Sequence, residues 1–97
     1  MSKFQVAHLR EQGQDMIIVF VNKSVGSMSN SDRADIAASL QACAESAGLA
    51  GSVVLVWKDS LGRGHFVAPK PWHLFFESTP YDILARHINK ELTCNGF

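Results

Sequence analysis

The chain has 97 residues, 46% of them hydrophobic, with nine Lys and Arg against nine Asp and Glu. That length suits one domain, residues 1–97, which buries only about 60–65% of its unfolded surface and has a modest stability margin. Zero formal net charge without a basic stripe makes nucleic acid an unlikely partner, since such binding depends on neutralising phosphates.

Residues 3–9 alternate weakly, with Phe4, Val6 and His8 on one side and Lys3, Gln5 and Ala7 on the other. This predicts an edge strand with one wetter face. The polar, Gly-containing stretch 10–15 turns the chain into the unbroken apolar run Met16-Ile17-Ile18-Val19-Phe20-Val21. A strand with no polar side must be covered on both faces. Ile17, Val19 and Val21 line one face, and Met16, Ile18 and Phe20 the other. A Ser-rich loop from Asn22 to Asn30 follows, longer than the usual connection of about 2–6 residues. Ser29 with Asp32 resembles a capping box, Ser31 being the alternative cap. Ile36, Leu40, Cys43, Ala44 and Ala47 form the buried stripe of the helix, and Gly48 ends it.

Val53-Val54-Leu55-Val56-Trp57 is a second interior strand. Residues 58–64 have the composition of a hairpin loop, and His65–Ala68 returns until Pro69 and Pro71 stop it. Trp72–Glu77 reads as loop or as one helical turn. Thr79 as N-cap, Pro80 at N1 and Asp82 at N3 predict a last helix with Tyr81, Leu84, Ala85, Ile88 and Leu92 on its apolar face, ending near Thr93. Residues 95–97 read as a loose tail.

The fold class is therefore α+β with an α/β-like core, in the order β-β-α-β-β-α. It is a four-stranded mixed sheet in spatial order 1-2-3-4, with a central parallel strand pair and two main helices. Two helices and two apolar faces leave two arrangements. One helix on each face completes a three-layer sandwich. Both on one face leave the other to a second copy, with Trp57, Phe66, Trp72, Phe75 and Phe76 supplying contact. The shortage of cover favours a homodimer or higher homo-oligomer.

Ligands of sheets with parallel strands bind outside the carboxyl ends. Those ends carry Lys23, Ser27 and Ser29 after one strand and Lys58 and Asp59 after the other, beside a helix N-terminus that favours an anion. The lysines and serines suit a phosphate or carboxylate, with Asp59 setting orientation. The bland alternative is a capped loop with solvated lysines, and no phosphate-loop spacing is present. The second candidate is the stretch around Trp72, His73, Phe75 and Phe76, which with Trp57 and Phe66 suits a partner or pocket contact or simple packing over a sheet end. His8, His65, His73 and His87 are not paired at ligand spacing, and His87 with Glu91 on one helix face makes an exposed pair, so no metal or other cofactor is expected. No nucleophile motif marks a catalytic residue.

Cys43 and Cys94 stand far apart with no C-x-x-C pairing and read as free thiols in a reducing cytoplasm. The N-terminal residues lack a signal-peptide stretch, and no apolar run approaches the ~20 residues that span a bilayer. The blocks His8-Leu9-Arg10-Glu11-Gln12-Gly13, Ala47-Gly48-Leu49-Ala50-Gly51 and Trp72-His73 resemble pieces of short bacterial reading frames from mobile elements such as integron gene cassettes. The resemblance implies a bacterial cytosolic protein and assigns no functional residue. The expected function is a small homo-oligomeric binding or interaction module for a small molecule or a protein. The alternative is a small enzyme acting on an anionic substrate at the carboxyl ends of the parallel strands.

Overall fold

The structure, a computed structural model, describes residues 2–11 and 13–94; the tail expected at 95–97 lies outside the described residues. The chain forms β1 (Ser2–Glu11), β2 (Gln14–Phe20), α1 (Asn30–Ser46), β3 (Ser52–Lys58), β4 (Gly64–Val67), α2 (His73–Ser78), α3 (Tyr81–Ala85) and β5 (Lys90–Cys94). Short 3-10 turns lie at Lys23–Ser27 and Lys70–Trp72. One five-stranded sheet has the order β4-β3-β2-β1-β5. The β2 and β3 strands are parallel, with Ile17 beside Val53 and Phe20 beside Val56, and every other neighbour is antiparallel.

Both apolar runs occupy the centre of this sheet, as their lack of a polar side requires. Ile17, Ile18, Val54 and Leu55 are 0% exposed, and each such burial stabilises by about 1.5–3 kcal/mol. On one face, Leu40 and Ala44 of α1 pack on Val6, Ile17, Val19, Val53, Leu55 and Trp57. Ser29 is the N-cap, its side chain accepting from the Asp32 N–H at 3.1 Å. At the other end Leu49 N–H donates to Ala44 C=O and Gly48 N–H to Glu45 C=O. That pair of bonds makes a Schellman motif, with Gly48 at φ 80°. Ala47, expected in the buried stripe, is the exposed C-cap instead. The Gln41 amide then ties α1 to β3, accepting from Val53 N–H at 2.8 Å and donating to Gly51 C=O at 2.9 Å. Gly51 itself, at φ 120°, has no room for a Cβ against the Asp15 carbonyl.

On the opposite face Phe76 and Leu84, from α2 and α3, pack on Ala7, Met16, Ile18, Val54 and Val56. Phe66, Trp72, Phe75 and Tyr81 complete that layer. The sheet is thus covered on both faces by its own chain, the three-layer arrangement. Four of the aromatic side chains expected to await a partner are themselves part of the cover, and Trp57 lies on the α1 side.

Four sequence expectations fail because of the C-terminal end. The sheet has five strands, not four, because the last helix stops at Ala85. Pro80, with ψ 149°, stands outside that helix as its N-cap, so the cap is not Thr79. Beyond Ala85 the Asn89 amide accepts from His8 N–H at 2.9 Å and donates to His8 C=O at 3.1 Å, while its own N–H donates to Val6 C=O at 3.0 Å. These bonds turn the chain alongside β1, whose open edge β5 completes from Val6–Lys90 to Ser2–Cys94. Leu92 fits both a helical and an alternating period; burial of Leu92 and Cys94 between exposed Glu91 and Thr93 shows that alternation prevailed. Consequently β1 is interior rather than an edge, and Val6 and Ala7 on its two sides are both 0% exposed. His87 and Glu91 share no helix face; Glu91 lies 3.8 Å from Lys3 instead.

The cysteines are also not free thiols. Cys43 of α1 and Cys94 of β5 form a disulfide with Cα atoms 5.8 Å apart, a proximity that appears only once β5 replaces the helix. No helix among the described residues is long and apolar enough to cross a membrane. The bridge closes a loop of 51 residues in sequence separation, for which chain entropy gives about 4 kcal/mol of stabilisation. Urea unfolding with and without a reductant is therefore expected to show a fall in midpoint on reduction, matched by the double variant Cys43→Ser, Cys94→Ser. Equal midpoints would contradict the bridge.

Candidate functional site

Where β2 and β3 end, the loops leaving them diverge and enclose an open cleft of about 820 Å3. The 3-10 turn supplies Lys23, Ser24, Gly26 and Ser27, and the first turn of α1 supplies Asn30 and Arg33. Trp57, Asp59 and Ser60 enter from the end of β3, His65 to Ala68 from β4 and beyond, and His73 from the start of α2.

The cationic side is built by local hydrogen bonds. Asn22 caps the turn by accepting from Ser24 N–H at 2.9 Å, and the Ser27 hydroxyl donates to Ser24 C=O at 2.9 Å. Arg33 reaches back over that turn. Its Nε donates to Val25 C=O at 3.0 Å, Nη2 to Gly26 C=O at 2.8 Å and Nη1 to Asn30 Oδ1 at 2.8 Å. The guanidinium also lies 5.7 Å from the centroid of Trp57, a cation–π distance. Among the described residues, neither Arg33 nor Lys23 has a carboxylate partner. Trp57 is 5% exposed, and its indole N–H has no acceptor among the described residues; it is not sealed off either, so it meets solvent at the cleft. Gly26 makes the space for it, since a Cβ there would stand 2.9 Å from Nε1.

Opposite stands a carboxylate–imidazole pair. Asp59 Oδ1 accepts from the N–H groups of Leu61 and Arg63, each at 2.9 Å, while Oδ2 is 2.7 Å from His65 Nε2. The His65 ring stacks on Trp57 with centroids 5.7 Å apart and planes 17° from parallel. The hydrogen bond from His65, followed by that from Arg63 N–H, holds the Asp59 carboxyl below its ordinary 3.8. A carboxylate only accepts, so His65 Nε2 carries a proton and the neutral ring has its lone pair on Nδ1. His73 is fixed the same way, Nε2 donating to Ala68 C=O at 2.9 Å.

The structure thus gathers Lys23, Ser27, Asp59, Trp57, Phe66 and His73, drawn from both groups of sequence candidates, into one cleft. Ser29 is not among its walls, being occupied as the α1 cap. Lys58 points the other way, because successive strand residues alternate in face. Its ammonium lies 3.3 Å from Asp82 and 5.7 Å from the Tyr81 ring, beside a smaller cleft of about 380 Å3 that Phe76 lines. Trp72 and Phe75 line a third cleft of about 800 Å3 with Met16 and Leu74. Sequence reasoning missed Arg33 and His65. Arg33 is four residues after the Ser29 cap, where a helical side chain leans back over the entering loop. His65 follows from the hairpin register, which sets it opposite Trp57. Among the described residues no group of three or more His, Cys, Asp and Glu is placed to hold a metal ion.

Because the folded-state pKa of Asp59 is lowered, its stabilisation is complete above the unfolded value of 3.8 and disappears as pH falls through the lowered value. Asp59→Asn is expected to be less stable than the parent at neutral pH, with the gap closing as pH falls below 3.8 and through the lowered folded-state value. Urea midpoints measured from pH 6 to pH 2 check this; a gap that stays constant throughout contradicts it.

Comparison of the chain with protein-family models, with curated proteins and with solved structures finds no match in any of the three.

Proposed function

We propose that this chain is a small binding domain for an anionic small molecule, held in the cleft at the carboxyl ends of β2 and β3. The observation that carries this reading is the convergence of Lys23 and Arg33, neither neutralised by a carboxylate, with the open indole N–H of Trp57. Two cations, Lys23 and the hydrogen-bonded Arg33, line the cleft with one carboxylate, a local positive excess in a chain of nine basic and nine acidic side chains. The N-terminus of α1, with Asn30 in the wall, adds its dipole in the same sense. Phe66, Val67 and Ala68 give the cleft an apolar floor, which suits a ligand with a small hydrocarbon or ring portion beside its phosphate or carboxylate.

Binding to the folded state alone raises the melting temperature by mass action. Phosphate titrated at constant ionic strength is expected to raise it by a few degrees, about 3–6 °C near saturation. Lys23→Ala should remove most of that rise. The variant is the necessary control, because such anions also stabilise proteins generally by exclusion from the surface. An equal rise in parent and variant sinks the reading.

Self-association is a second reading. It rests on Leu74, 79% exposed, beside the partly buried Trp72 and Phe75 in the third cleft. A second copy would cover that patch. Sedimentation at high micromolar concentration should then show a dimer or larger species that Leu74→Ser shifts to monomer; a monomeric parent rules it out. A bacterial mobile-element source rests on the blocks at 8–13, 47–51 and 72–73. The cytoplasmic location that goes with it has the Cys43–Cys94 bridge against it, since such bridges persist mainly in oxidising compartments.

A further inference from the structure

We propose that His65, aligned by Asp59, is the proton-transfer group of a hydrolytic site whose substrate is a carboxylic ester bearing an anionic group. The proposal rests on the anion-binding reading of the same cleft and adds a reaction to it.

Position comes first. Asp59 is held by two backbone N–H groups of its own hairpin loop and offers its second oxygen to His65 at 2.7 Å. The imidazole is thereby fixed at one edge by the carboxylate and on one face by Trp57. Its remaining nitrogen, Nδ1, has no partner among the described residues, and the side chain is 45% exposed in the cleft wall. A water can therefore reach a base whose orientation is already set. The other imidazole of the cleft, His73, is oriented by a backbone carbonyl and by an edge contact with Phe66, with no carboxylate beside it among the described residues. A carbonyl fixes a ring but supplies no full negative charge to stabilise an imidazolium, which is why His65 takes the role. Electrostatic partners line the same cleft, Lys23 and Arg33 from the 3-10 turn and α1, and Trp57 stacked on His65. The guanidinium of Arg33 and the indole N–H of Trp57 are donors for a developing oxyanion, and Lys23 is a point charge for the anionic group of the substrate.

The step balances without a cofactor. His65 Nδ1 takes a proton from water as its oxygen bonds to the acyl carbon, and the carbonyl π pair moves onto oxygen. When that oxyanion collapses, the acyl C–O bond to the alkoxy group breaks. The Nδ1 proton goes to the departing alkoxide. Ester and water become carboxylic acid and alcohol, His65 returns to its starting form, and nothing is oxidised or reduced.

The test uses the full chain with two probes, the anionic 4-acetoxybenzoate, whose para carboxylate cannot reach its own ester, and the neutral 4-acetoxybenzamide. Saturable hydrolysis of the benzoate above the rate without protein, slower in deuterium oxide and faster than that of the benzamide, is expected. His65→Gln should lower kcat by about 10²-fold. Lys23→Ala should raise KM with kcat largely kept, and His87→Gln, an exposed histidine outside the cleft, should change neither. Asp59→Asn, which removes the charge while keeping an acceptor oxygen, is the second variant if His65→Gln does not fold; kcat should fall while KM holds. Linear rates without saturation, equal rates on both probes, or a kcat indifferent to His65 and Asp59 overturn the assignment. A Lys23-dependent thermal shift with phosphate but no saturable hydrolysis overturns the catalysis and leaves the binding reading standing. Absence of both signals overturns both.

Discussion

The parallel pairing of β2 with β3 is the constraint on which the molecule depends. Each strand is apolar on both sides, so the pair is stable only when both faces are removed from water. One face is met by the crossover itself, since α1 is the connection between the two strands and lands on Val6, Val19 and Leu55. The other is met by the two short helices that follow β4, through Phe76 and Leu84. Parallel pairing also aligns the carboxyl ends of both strands at one end of the sheet. The chain must leave there in two directions, and the space between the departing segments is the cleft. Fold and site are thus consequences of one arrangement.

The site contrasts with the core beneath it. Below Val21 and Val56 the two central strands carry apolar side chains, buried from Met16 to Val19 and from Val53 to Val56, whereas the residues just beyond are polar and held by short-range bonds: Asn22 to Ser24, Ser27 to Ser24, Arg33 to Val25 and Gly26, and Asp59 to Leu61 and Arg63. Such bonds orient side chains without a large contribution to stability, about 0.5–1.5 kcal/mol each. The Trp57 ring joins the two regions, packed in the core on most of its surface yet touching Arg33 and His65. Anything that shifts its indole disturbs both sides of the cleft together, and Gly26 marks how little room it has.

The central elements were legible in the sequence because each has one strong local cause. Unbroken β-branched runs specified β2 and β3, Ser29 with Asp32 and Gly48 bounded α1, and topology alone put Lys23, Ser27 and Asp59 at the carboxyl ends of the strands, where the cleft opens. The C-terminal end was not legible, because Leu92 satisfies both helical and strand periods and only the open edge of β1 decides between them. With the strand came the disulfide, whose cysteines have no sequence spacing to announce them. Lys58 lies outside this cleft for a simpler reason: its neighbours Trp57 and Asp59 face the cleft, so strand alternation turns it away. Arg33 and His65 were missed because their roles depend on a helix leaning over its own entry loop and on a hairpin register, both of which are tertiary facts.

The central claim, that the cleft beyond β2 and β3 is an anion site, is tested most directly at the indole N–H of Trp57. The chain has two tryptophans, so a nitrogen–proton correlation spectrum shows two side-chain indole signals, assigned by Trp72→Phe. Titration with phosphate at constant ionic strength should move the Trp57 signal saturably while the Trp72 signal, which reports the third cleft, stays in place. A Trp57 signal that does not move, or two signals that drift together without saturation, would contradict the account.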